Sequence, residues 1–408
     1  MIRMARKLYY VDPYLKTAKA KISDLTIKGD KIEVSLTETI FYPRGGGQPG
    51  DKGKIRGDGF EIIVEDTVER DGEIWHVGKL NGRTPEVGEE VELELDWEWR
   101  YGNMQMHTGQ HILSAVLKKR YDLDTSGFNI FGDYAKIEVN GELNWEMIEE
   151  AELEANKVII DDLPVRVEEY EVLPKGVVEK LRKYIPNIKG KIRIVRIGEN
   201  FDLTPCGGTH VKSTREVGVI KVLRFYKKSK DTWRIEFTCG FRAIKKLNEI
   251  LKDYWSALDA MPNKNPPLSE RVREVLESVE SLEEKVDSMR KEVWKWKEES
   301  LLGRSIEIGH YNVVTFVEKW DIKDAQAFAV DFVKNNPGTI VVLASEDYVI
   351  LARNEEVEVS MKSLLEDLIK EFGGKGGGTD NLARGKIEAE PEDVIDFVVD
   401  RLREIIGA

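Results

Sequence analysis

The stretch HTGQHILSAVLKKRY, His107–Tyr121, decides how this chain is organised. Its apolar residues Ile112, Leu113, Val116 and Leu117 recur at helical spacing, so it reads as a helix with a buried face. Upstream, runs such as KIEVSLTETIF and EIIVEDTVE alternate in polarity between glycine-rich turns, the pattern of short antiparallel strands. The change of period near Trp97 therefore marks the end of a β-barrel-like domain, residues 1–92. Downstream come a helix in NWEMIEEAELEANKVII, strands in KIRIVRIG and VIKVLRFY, and a closing helix in AIKKLNEILKDYWSALDAM. Residues 93–260 thus read as an α+β domain.

MPNKNPP, Met261–Pro267, is a linker by its proline content. After it, Leu268, Val272, Val275, Val279, Leu282, Val286, Met289, Val293 and Trp296 alternate steps of four and three, which is a heptad seam. The seam predicts that residues 261–303 form a linker and a long coiled-coil-like helix, packed against a partner helix in this chain or in a second copy. Residues 304–408 read as an α/β domain, with strands in YNVVTFVE, TIVVLAS and YVILAR alternating with amphipathic helices. The predicted class is therefore α+β multidomain.

Composition narrows the function classes. No apolar run reaches the roughly 20 residues that cross a bilayer, and the first residues turn polar too soon for a secretion signal. The two cysteines, Cys206 and Cys239, stand far apart in sequence, which fits a reducing, cytoplasmic setting. A formal charge of −13 works against a nucleic-acid partner, yet basic residues gather in Lys175–Arg196 and Lys221–Arg234. A basic face on an acidic molecule is compatible with a phosphate backbone, and equally with solvated surface charge.

The chemistry-bearing residues are few. His107 and His111 are one helical turn apart and can share a metal ion, and CGGTH supplies Cys206 and His210 at the same separation. Three imidazoles and a thiolate make a tetrahedral zinc set. Four protein ligands usually mark a structural site and an open position a catalytic one, and spacing alone leaves both readings standing. FYPRGGGQPGDKG places Gly45, Gly46, Gly47 and Gln48 after a strand, where the backbone can approach a polar ligand; from the residues alone an ordinary hairpin turn is the preferred reading, because glycine-rich turns are common. GGKGGGTDNLARGK reads as a flexible basic loop that could meet phosphate oxygens through Lys375, Arg384 and Lys386, with Gly373 a candidate helix cap.

HTGQHIL, CGGTHV, FYPRGGGQPGDKG and LYYVDPY together resemble the editing domain of alanyl-tRNA synthetases and its freestanding relatives, the AlaX proteins. The final hundred residues resemble the synthetases' C-terminal domain, so the likeness spans nearly the whole chain in the long AlaX form. It implies Zn²⁺ on His107, His111, Cys206 and His210, and hydrolysis of the ester between tRNA(Ala) and a wrong amino acid, serine or glycine. It also implies that the glycine-rich motif lies near the amino-acid pocket and that the C-terminal domain serves tRNA binding or dimerisation. Asp202 and Gln110 are candidates for placing the ligands or the attacking water. No D-H-H motif or aminoacylation module is seen, which suggests an editor acting in trans. Two alternatives are an editor of Ser-tRNA(Thr) and a non-catalytic, zinc-stabilised tRNA-binding protein.

Overall fold

The computed structural model describes residues 5–29, 31–183, 191–261 and 267–407. The core of the linker, Pro262–Pro266, and the middle of the first basic stretch, Tyr184–Gly190, lie outside the described residues. The chain divides into two compact units, Met1–Ala260 and Met261–Ala408.

The first unit opens with a closed six-stranded barrel. Its strands, in order around the barrel, are Thr17–Lys28, Lys31–Leu36, Glu73–Gly82, Phe60–Arg70, Gly53–Gly57 and Glu90–Leu95. The alternation seen in the sequence is why it closes, since every second residue of Glu90–Leu95 points inward and is buried. Ile32, Val34, Ile55, Ile62 and Leu93 fill the interior. The barrel-like expectation is met.

Asp96 ends the barrel and caps the next helix, its carboxylate accepting from the Trp99 N–H at 3.0 Å. That helix, Trp97–Tyr121, begins well before the first periodic residues and stops where Asp122 adopts a left-handed conformation, φ 55°. Every residue from Gly102 to Leu117 is buried, so the helix is a central post rather than a surface element. A four-stranded sheet (Ile220–Ser229, Thr232–Cys239, Ala135–Asn140, Asp124–Ile130), a three-stranded sheet (Val165–Tyr170, Ile192–Ile197, Asp202–Pro205) and helix Trp145–Ile160 build the α+β part around it.

The second unit starts with the 35-residue helix Leu268–Leu302. A six-stranded sheet follows, with only Tyr311–Val317 and Thr339–Ala344 paired in parallel, joined by the crossover helix Ile322–Asn335. Phe328 and Phe332 of that helix pack on one sheet face, and Leu364, Leu368, Val398 and Leu402 of Met361–Phe372 and Pro391–Ile406 on the other. The heptad seam has no cover among the described residues: Leu282 is 58% exposed, Met289 66% and Trp296 77%. The long helix is present; the coiled-coil pairing is not seen.

One expectation needs correction. The glycine-rich stretch near the C-terminus is not a loop but a hairpin, Gly374–Gly378 paired antiparallel with Leu382–Ile387 at the sheet edge. Backbone hydrogen bonding alone makes this strand, and the glycines are needed because a Cβ at Gly374 would overlap the Lys386 carbonyl. Gly373 does cap the preceding helix, with φ 79° and its N–H donating to the Ile369 carbonyl at 3.0 Å.

Candidate metal centre

His107 and His111 project from one side of the central helix with ring centroids 5.5 Å apart. The loop leaving strand Asp202–Pro205 brings Cys206 and His210 to that side. The ligand atoms of all four residues lie within 4.8 Å of one another, and the Cys206 Sγ is 3.3 Å from the Nε2 of both His107 and His210. The three histidines are 2–3% exposed.

What turns this crowd into a centre is the far side of each ring. His107 Nδ1 donates to the Gln48 Oε1 at 2.9 Å and His111 Nδ1 to the Asp202 Oδ2 at 3.2 Å, and His210 Nδ1 is hydrogen-bonded to the Thr108 Oγ1 at 3.1 Å. An amide oxygen and a carboxylate can only accept, so the first two bonds put a proton on Nδ1 of His107 and His111 and turn Nε2 toward the cluster, while the Thr108 hydroxyl holds the His210 ring with its Nε2 on the Cys206 side. The donor set therefore fits a metal, and its softness and nitrogen content fit zinc.

Each supporting group is itself held. Gln48 is 1% exposed; its Nε2 donates to the Thr209 Oγ1 at 2.8 Å and its Oε1 also accepts the Thr209 N–H at 3.1 Å. Asp202 accepts from Arg182 Nε at 2.7 Å and from the Thr204 hydroxyl at 3.1 Å. Burial would raise this carboxyl, but His111 and Arg182 more than reverse it and hold it below the usual range. Burial would likewise raise the Cys206 thiol, and the imidazoles of His107 and His210 bring it well below the ordinary value. For His210 burial dominates and lowers the imidazole to about 3, which keeps it neutral as a ligand must be.

Glycines set the closest approaches. A Cβ on Gly208 would overlap the His107 ring, and one on Gly109 would overlap the Cys239 sulfur beneath the helix. Gly46 and Gly47 turn the GGGQP loop through left-handed conformations, φ 58° and 83°, and Gly45 and Gln48 exchange backbone hydrogen bonds at 3.0 and 2.9 Å. The Gly47 carbonyl accepts from the Ile130 N–H at 2.8 Å, which seats the loop on the sheet and delivers Gln48 to His107.

Gln110 is buried and donates to the Ser114 hydroxyl at 2.8 Å. Lys375, Arg384 and Lys386 share one face of the C-terminal hairpin, since Lys375 pairs opposite Lys386 and Arg384 lies two residues from it; they belong to the second unit. The lone histidines are not ligands: His76 is buried in the barrel, its pKa lowered by burial to about 4, and His310 is exposed against Tyr311. Sequence reading missed Thr108, Arg182 and Thr209. Thr108 and Thr209 could have been noticed inside HTGQH and CGGTH; nothing local marks Arg182.

Residues 192–236 match the family described as the threonyl and alanyl tRNA synthetase second additional domain, residues 13–99 match class II (A) tRNA synthetases, and residues 310–408 match the DHHA1 domain. The chain is 65% identical over 400 residues to the alanyl-tRNA editing protein AlaX-L of Pyrococcus horikoshii, covering 98% of this chain and 99% of that one. It is also 31% identical to the alanine-tRNA ligase of Pyrococcus abyssi over 97% of this chain, but spans only 43% of that enzyme. The chain belongs to the AlaX-L family of alanyl-tRNA editing proteins. Among the described residues no helix is long and apolar enough to cross a membrane.

Proposed function

We propose that this chain is a cytoplasmic trans-editing hydrolase that removes serine, and glycine as a second substrate, from mischarged tRNA(Ala). The observation that carries the proposal is the orientation of three imidazoles toward one thiolate by Gln48, Asp202 and Thr108. His107, His111, Cys206 and His210 would hold Zn²⁺, which when bound supplies Lewis-acid polarisation of an ester or a water.

The chain's own groups do the rest. Asp202 acts as a positioning residue, because His111, Arg182 and Thr204 already occupy its oxygens. Gln110, anchored through its amide nitrogen on Ser114, offers its Oε1 to a water. The GGGQP turn lies beside His107 and supplies backbone polar groups to the amino-acid end. The editing logic is selective: a site with polar groups matched to a serine hydroxyl leaves them unpaired when alanine is bound, so the correct ester is spared.

In the second unit, Lys291, Lys323, Lys334 and Arg384 surround a cavity of about 580 Å³ beside the exposed hairpin carrying Lys375 and Lys386. This concentration of cations on a chain of charge −13 supports contact with the tRNA backbone. The uncovered heptad stripe supports a homodimer through the long helix. Leu282→Glu should then convert the protein from dimer to monomer in sedimentation; an unchanged mass for wild type and variant sinks the dimer.

The activity is tested by incubating the protein with Ser-, Gly- and Ala-tRNA(Ala) and with Ser-tRNA(Thr), with and without a chelator. Release of serine from tRNA(Ala), suppressed by chelation and restored by zinc, is expected. Faster release from Ser-tRNA(Thr) would move the protein to the threonine system, and binding without deacylation would make it a tRNA-binding protein.

A further inference from the structure

A cleft beside Cys206 bears on how the RNA end is held. The cleft has a volume of about 490 Å³, and its wall includes Tyr10, Glu169, Lys191, Arg193, Cys206 and Gly207. The three imidazoles are buried while Cys206 is half-buried, so the cluster meets this cleft on its sulfur side.

One wall is flat and cationic. The Arg193 guanidinium lies 4.4 Å from the Tyr10 ring centroid. It is anchored by Nη1 donating to the Gly208 carbonyl at 2.5 Å, and the Tyr10 hydroxyl donates to the Gly207 carbonyl at 3.0 Å. The Arg193 Nε is buried and has no hydrogen-bond partner. Two residues before Arg193, Lys191 also lines the cleft, 66% exposed and only loosely paired with Glu169 at 3.8 Å. An aromatic ring stacked with a guanidinium, next to an exposed ammonium, suits a ligand that combines a planar base with an adjacent phosphate. The volume suits one nucleotide, and a duplex would not enter.

We propose that this cleft binds the terminal nucleotide of the charged RNA, with its base against Tyr10 and Arg193 and its phosphate toward Lys191. The ribose carrying the ester then lies at the sulfur side of the cluster. This rests on the hydrolase reading, and it makes Tyr10 and Lys191 recognition residues separate from those that meet the amino acid.

The test uses the full-length, zinc-loaded protein. Tyr10→Ala and Lys191→Ala should each raise KM for Ser-tRNA(Ala) by about 10-fold, with kcat within about twofold, whereas Tyr10→Phe should retain the wild-type KM. Adenosine 5′-monophosphate, the terminal residue of every tRNA, should bind wild type and Tyr10→Phe in calorimetry but not Tyr10→Ala; ribose 5-phosphate should bind none of them. Unchanged KM and nucleotide binding in Tyr10→Ala and Lys191→Ala overturn the proposal. So does Tyr10→Phe losing metal, which would reduce Tyr10 to a clamp on the Gly207 loop. If wild type releases no serine, the hydrolase reading fails, while the calorimetry still decides the cleft.

Discussion

Gly208→Ala should empty the proposed metal centre: zinc, expected at one per chain in the wild type and measured by elemental analysis after dialysis, should fall to a small fraction, and deacylation should disappear with it. The reason is steric. Gly208 has no left-handed φ to lose, but its Cα faces the edge of His107 so closely that a methyl group would overlap Cε1 and Nδ1 and crowd the Gln48 Oε1. His107 must then rotate away from the cluster, losing both its place as a ligand and the bond that fixes its tautomer. Disturbing a supporting partner alone weakens metal binding about 10–100-fold, and displacing the ligand as well should exceed that. Gly207→Ala is the control. Its Cβ would meet only the Tyr10 hydroxyl, at 3.7 Å, so it should keep its metal. Full zinc occupancy in Gly208→Ala would mean that the ring has room that the geometry denies it.

Arg100→Ala should be the most destabilising single change in the first unit, by about 3–5 kcal/mol in chemical denaturation. Arg100 and Asp51 are both 0% exposed and paired through the Arg100 Nε at 2.9 Å. The same guanidinium donates to the Pro13 carbonyl at 2.8 Å and the Ile40 carbonyl at 2.6 Å, so one side chain of the central helix ties down three stretches of the barrel domain. Burial already pushes the Asp51 carboxyl up, with Arg100 opposing it. Without Arg100 a carboxyl and two carbonyls are left buried with no donor from that side chain. The double variant Arg100→Met with Asp51→Leu should recover much of the loss, because removing both partners leaves no orphaned charge. A loss below about 1 kcal/mol for Arg100→Ala would show that water reaches the pair.

These two residues also show where sequence reading stops. Arg100 stands within a helix and Asp51 follows a glycine-rich turn, and neither position looks different from a surface charge. Their 49-residue separation carries no pattern. The four side chains of the candidate metal centre were legible because helical spacing puts His107 and His111 on one face and CGGTH repeats their separation in a chain with five histidines. The heptad seam was legible as a helix, but what covers it was not, since a seam specifies an apolar stripe and leaves the partner open. The C-terminal glycines look like a loop in the sequence because a strand held only by backbone hydrogen bonds leaves no side-chain period to find.

Local order in this protein, the barrel strands, the central helix and the long heptad helix, was written in periods of two, three and a half, and 3.6 residues. Such periods arise from neighbours along the chain, so residue order alone determined them. Which oxygen turns each imidazole was decided only in three dimensions: Gln48 reaches His107 across 59 residues, and Asp202 reaches His111 across 91. Contacts of that length depend on how packed layers bring distant loops together, and only the folded chain specifies that.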